Sequence, residues 1–203
     1  MSEPAYTLPT PEDHDGQIWP AQGSWTYEDY VRLPEDGRRY EVIRGSLYVT
    51  ATPIYDHQYA VQALAYQMHE WVRKHRLGVV LGVPFDIRLP NQIGDPVEPD
   101  LVFFRHGNQP RPGDPYFRGV PDLIVEVLSP STRHRDRGIK LEAYRDAGVP
   151  EYWLVDPKAR TVVVHVLSED RSRYVELCRG GVGETVTSAV LSGLQVEVED
   201  LFP

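Results

Sequence analysis

The sequence predicts a single α/β domain, and three observations carry that reading. Leu123, Val125 and Val127 alternate with Ile124, Glu126 and Leu128. Both faces of this run are apolar except at Glu126, as in a strand buried on both sides of a sheet. Val61, Leu64, Ala65, Met68, Trp71 and Val72 recur at three- and four-residue spacing, which gives one long amphipathic helix an apolar stripe to bury. Strand-like runs lie on either side of each helical stretch, and 203 residues suffice for one well-filled core. A hydrophobic share of 41% and a charged share of 25% are ordinary for a globular protein.

Taken in order, residues 1–23 carry Pro4, Pro9, Pro11 and Pro20 among acids and small residues, so they read as a poorly ordered lead-in to one domain over 24–203. They lack the basic start and apolar run of a secretory signal. Thr26 with Asp29 forms a capping box for a short helix, and Pro34 to Gly37 is a turn. RRYEVIRGSLYVTA reads as a hairpin bending at Arg44-Gly45 or Gly45-Ser46. Asp56 is placed to cap the long helix, whose stripe His57 extends toward the start and which ends before Gly78. VVLGVPFDIRL and EPDLVFF are strand-like, with a loop at residues 90–94 between them. The segment from Arg105 to Gly119, rich in Gly, Pro and charge, has no period and reads as a long surface loop. Ser131 or Thr132 then opens one helix through Ala147, with Ile139, Ala143 and Tyr144 inward and Gly148 and Pro150 ending it. EYWLVDP is a strand, TVVVHVL and RYVELC an antiparallel pair, and a last short strand lies near Leu194 to Val198.

Glu126 is the residue this framework does not explain, because a carboxylate inside a buried strand must be paired, hydrogen-bonded or bound to a metal. Asp100 opens a neighbouring strand, and Lys140 lies on the following helix. Two carboxylates from adjacent strands can hold Mg²⁺, with a lysine orienting or deprotonating water. Each residue also has a structural explanation. Pro99-Asp100-Leu101 and Pro121-Asp122-Leu123 both resemble turn chemistry before a strand. Lys140 can pair with Asp136 on an exposed helix face. His57 and Glu41 can be edge-of-core residues, and Arg133, His134, Arg135 and Arg137 a solvated face that could also meet phosphate.

The net charge of −9 argues against a protein that grips phosphate backbones by charge alone, although a metal site would supply local positive charge. No apolar run reaches the roughly 20 residues of a membrane span. The single Cys178 fits a reducing cytoplasm.

PDLIVEVLSPST, followed by DRGIK and GVPEYWLVDP, resembles the Uma-two family of restriction endonucleases, a branch of the PD-(D/E)XK nuclease superfamily, from about Thr26 onward. The resemblance implies a restriction endonuclease-like fold, a mixed sheet flanked by helices. It also implies Mg²⁺ (or Mn²⁺ as a substitute) held by Asp100, Glu126 and the backbone carbonyl of Val127, with DNA as substrate. The superfamily lysine belongs two residues after Glu126, where this chain has Leu128; Lys140 is the candidate for a lysine moved to the helix, important to chemistry more than to folding. Glu41 and His57 are assigned lesser parts. A homodimer follows from the need to cut two strands, with TVVVHVL as a possible edge or face. The rival readings are a catalytically silent DNA- or protein-binding module and a Mg²⁺ phosphoesterase for a smaller substrate.

Overall fold

The computed structural model describes residues 19–50, 52–93 and 95–203. Most of the expected lead-in, residues 1–18, lies outside them, as does the end of the 90–94 loop. Residues 19–23 are tied to the rest of the domain by a few contacts: Trp19 stacks on Trp25 at 5.4 Å, and the Gly23 amide donates to the Gly45 carbonyl. The capping box opens α1 (Tyr27–Tyr30) as expected. The hairpin consists of β1 (Arg39–Ile43) and β2 (Ser46–Thr50), with Arg44 and Gly45 at φ 51° and 71°. Positive φ at both central residues matches the strand twist, so the bend falls at Arg44-Gly45.

The long helix is α2 (Tyr55–His75), with His57, Ala60, Val61, Leu64, Met68 and Val72 buried. Its N-cap is Ile54 and not Asp56; Asp56 lies in the first turn, where its charge still complements the helix dipole. VVLGVPFDIRL splits into β3 (Gly78–Gly82) and β4 (Asp86–Arg88), because Pro84 has no amide to give to a ladder. After β5 (Leu101–Arg105), the expected long loop contains β6 (Tyr116–Arg118), paired parallel with β4. Three residues are too few to display a period.

The central strand is β7 (Leu123–Val127). The single helix expected after it is two, α3 (Arg133–Arg137) and α4 (Ile139–Ala147), broken at Gly138 with φ −118° and ψ −103°. Gly148 ends α4 in the left-handed region, as expected. Then come β8 (Glu151–Asp156), β9 (Thr161–Leu167), β10 (Tyr174–Gly181), β11 (Thr185–Thr187) and β12 (Gln195–Glu197).

The main sheet runs β10-β9-β8-β7-β5-β3, with β7 and β8 parallel and every other neighbouring pair antiparallel. It is therefore mixed. Leu123, Val125 and Val127 pack with Leu64, Met68 and Val72 of α2 on one face. Ile124 and Leu128 pack on the other face with Ala143 and Tyr144 of α4 and Ile43 of the hairpin. TVVVHVL forms β9, enclosed between β8 and β10 with Val162, Val163 and Val164 buried, so it offers neither an edge nor an open face. Among the described residues no helix is long and apolar enough to cross a membrane.

Candidate active site

Strand pairing determines which carboxylates meet. In the antiparallel β5–β7 register, Leu101 faces Val125. One step further brings Asp100 opposite Glu126 on the face shared with α4. The same pairing sends Asp122 to the far end of the strands, where it accepts from the Arg105 amide at 2.9 Å and from Asn108 at 2.8 Å. The two Pro-Asp-Leu starts are thus separated by antiparallel geometry, and Asp122 is a loop tie.

Asp100 and Glu126 are 4% and 3% exposed, and each carboxylate meets its closest neighbours through one of its oxygens. Asp100 Oδ2 accepts from the Val127 amide at 2.8 Å and lies 3.2 Å from His57 Nε2. Glu126 Oε1 accepts from Lys140 Nζ at 2.8 Å and from the Tyr144 hydroxyl at 2.6 Å. Lys140 Nζ also lies 2.8 Å from Glu41 Oε1 and 3.8 Å from Asp136 Oδ1. All the side chains proposed from sequence therefore converge, and Lys140 is buried instead of lying on an exposed helix face. The break at Gly138 turns the first residues of α4 inward, which brings Lys140 and Tyr144, one helical turn apart, onto the same carboxylate.

Burial and charge together shift the pKa values of the cluster. Burial alone would raise the Asp100 pKa, but the hydrogen bond and charge of His57, the Val127 amide and Lys140 hold it below the usual value. Burial pushes Glu126 well up; Lys140 opposes the rise, while Asp136, Asp100 and Glu41 reinforce it. Asp136 is pushed up to about 6, first by burial, with Lys140 and Thr132 opposing and Glu41 and Asp100 adding to the rise. Burial disfavours the Lys140 charge, but Glu126, Glu41 and Asp136 together raise its pKa, so the amine is an ammonium.

A cavity of about 230 Å³ opens onto this cluster, lined by Arg39, Glu41, His57, Asp100, Glu126 and Lys140 among others. Among the described residues no group of three or more His, Cys, Asp or Glu side chains forms a ready metal-ligand cluster. The donors nevertheless fit a hard divalent cation of the Mg²⁺ kind, which is commonly held by one or two carboxylates and keeps several waters. Both hydrogen bonds to Glu126 fall on Oε1, both close contacts to Asp100 fall on Oδ2, and Asp136 Oδ1 is buried without a hydrogen-bond partner. Four carboxylates crowd one lysine and one arginine, an excess of negative charge that a dication would offset.

Sequence reasoning missed the parts taken by Arg39, Asp136 and Tyr144. Tyr144 was legible only as part of an apolar stripe, and Asp136 only as a surface partner of Lys140. The basic run after β7 is a solvated face: Arg133 and Arg137 share Asp156 Oδ2 at 2.9 and 3.1 Å, with side chains 43% and 51% exposed.

Comparison with known proteins places the fold and the family. A solved structure from Anabaena variabilis, described as a "putative nuclease belonging to DUF820", matches with a TM-score of 0.73 at 20% identity, over 87% of this chain and 97% of that one. At that identity the likeness shows a shared fold. No curated protein matches. The family described as "Putative restriction endonuclease" matches residues 27–199, a span that takes in Glu41, His57, Asp100, Glu126, Asp136 and Lys140, and the chain belongs to this family, Uma2.

Proposed function

We propose that this chain is a divalent-metal-dependent endodeoxyribonuclease, using Mg²⁺ with Mn²⁺ as a substitute, and acting on DNA as a homodimer. One observation carries the reading: Asp100 and Glu126 meet on adjacent strands beside a buried ammonium, in a cavity whose donors suit a hard cation. Asp100, Glu126 and the Val127 carbonyl would hold the ion; extended backbone points a residue's carbonyl to the same side as its amide, and the Val127 amide faces Asp100. Bound there, the ion would offset charge developing on the phosphate and lower the pKa of bound water. Lys140, kept protonated by its carboxylates, orients the attacking water and stabilises negative charge; it is not the base. Leu128, buried in the apolar layer, occupies the usual lysine position, so the amine reaches Glu126 from α4 instead. Glu41 fixes Lys140, and His57 fixes Asp100. In the reaction the water oxygen bonds to phosphorus and gives up a proton to solvent, the bond to the leaving sugar oxygen breaks, and that oxygen gains a proton from solvent. Two sites related by a two-fold axis would cut the two strands.

The test combines cleavage of supercoiled and linear DNA in Mg²⁺ or Mn²⁺ with metal-induced thermal stabilisation. Wild type is expected to cut DNA and gain stability from metal, and Asp100→Asn is expected to lose both. A wild type that neither cuts nor responds to metal would sink the reading in favour of a silent module.

A further inference from the structure

The cavity contains one cation whose donors are only partly committed. Arg39 lies on β1 two residues before Glu41, so strand alternation turns both side chains to the same face, and both line the cavity. Glu98 holds the guanidinium: Nε donates to Glu98 Oε2 at 3.0 Å, and Nη2 donates to the Glu98 carbonyl at 2.9 Å. The Glu98 amide donates in turn to Glu41 Oε1 at 2.9 Å, the oxygen that also meets Lys140. Nη1 stands 3.7 Å from Asp100 Oδ1, beyond hydrogen-bond range but well within reach of its charge. A guanidinium has five N–H donors. Those on Nη1 make no hydrogen bond among the described residues, and they sit beside the carboxylate proposed to hold metal.

The other basic side chains of the cavity are buried. Lys140 is shared by three carboxylates with its side chain 5% exposed, and His57 is turned onto Asp100 with its side chain 7% exposed. The Arg39 side chain is 22% exposed. Arginine's planar fork also matches two oxygens of a phosphate, which a lysine ammonium cannot do. In a chain of net charge −9, with four acids lining this cavity, a phosphodiester needs one such donor to enter.

We infer that Arg39 is a catalytic residue that grips the scissile phosphate at the edge of Asp100, and that Glu98 is the positioning residue that aims it. This rests on the nuclease reading above and assigns a phosphate contact that lies outside the Asp100–Glu126–Lys140 set. The bland alternative is that Arg39 only neutralises Glu98 and Asp100.

Arg39→Lys keeps the charge and removes the fork. It is expected to lower the melting temperature only slightly, through the lost Glu98 hydrogen bond, to leave the Mg²⁺-induced stabilisation unchanged, to lower kcat on duplex DNA about a hundredfold at a temperature where the variant is fully folded, and to leave KM within about threefold. Unchanged kcat in the folded variant overturns the inference, as does a rate loss that tracks a loss of stability. Arg39→Met paired with Glu98→Gln avoids leaving a buried acid unpaired and tests the contact without turnover. In Ca²⁺, this double variant should bind a short fluorescent duplex at least tenfold more weakly than wild type. If wild type does not cut but binds the duplex in an Arg39-dependent way, the nuclease reading fails and the phosphate contact stands. Equal binding by wild type and the double variant overturns the contact, and a wild type that neither cuts nor binds overturns both.

Discussion

Lys140→Met should destabilise the fold as well as disable the site, which reverses the expectation from sequence. An exposed pair with Asp136 would be worth a few tenths of a kcal/mol. The structure instead puts the amine 2.8 Å from both Glu41 and Glu126 and 3.8 Å from Asp136, with its side chain 5% exposed. Methionine would leave those acids buried around an apolar group, and removing one partner of a buried ion pair costs about 3–5 kcal/mol. At 2–4 °C per kcal/mol for a domain of this size, the melting temperature should fall by about 6–20 °C at pH 8. The loss should shrink on acidification. Asp136 already has a pKa of about 6 and Glu126 is raised, and without Lys140 both would move further up. A carboxyl with a folded pKa above its unfolded value favours folding below the unfolded pKa and loses that contribution as pH rises through the folded one. The variant's deficit at pH 5 should therefore be clearly smaller than at pH 8. Calorimetry of both proteins at the two pH values checks this, and added salt should change the deficit little, since the pair is buried. Equal melting temperatures at pH 8, or a deficit independent of pH, would refute the reasoning.

Asp136→Asn removes a carboxyl raised from 3.8 to about 6, so above pH 6 it should stabilise the protein by up to roughly 3 kcal/mol and below pH 4 by nothing, as read from urea midpoints across that range. Asp100→Asn should do the opposite in metal-free protein. Its lowered pKa means stability present above the unfolded value and lost as pH falls through the folded one, so the variant should lose about 1.5–3 kcal/mol at pH 7, and unchanged urea stability would count against its bond to the Val127 amide. Glu151→Ala should cost about 3–5 kcal/mol or prevent folding, because Glu151, fully buried, accepts from Trp153, Ser188 and the amides of Ala189 and Val190 at 2.6–2.8 Å. Denaturant unfolding would show it.

The sequence made Glu126 conspicuous because every neighbour on its strand is apolar, and the structure surrounds it with the partners such a carboxylate needs. Turn chemistry alone treats Asp100 and Asp122 alike, since both open a strand after proline; the family resemblance picks Asp100, and the antiparallel pairing of β5 with β7 puts that residue opposite Glu126. Lys140 was identifiable as a residue but not as a buried one. Helical periodicity was read through Gly138 as though the helix were continuous, and the break there changes which face points inward. Arg39 gave no signal, because an arginine at the start of a hairpin strand is ordinary until Glu98 and Asp100 are seen beside it. The three-residue pairing of β4 with β6 lies below the length at which alternation can be recognised.

The exposed connection between β5 and β6 divides the cluster in half along the chain. Glu41, His57 and Asp100 precede it, and Glu126, Asp136 and Lys140 follow it. Neither portion contains a cation–carboxylate arrangement equivalent to the whole, and β7 cannot complete its ladder until β8 has been synthesised beyond Lys140. A nascent chain therefore cannot assemble this cluster until both portions associate through β5 and β7, whereas a clip in the exposed connection would leave the two portions joined by that ladder. The same division makes the chain a natural candidate for assembly from two complementing fragments.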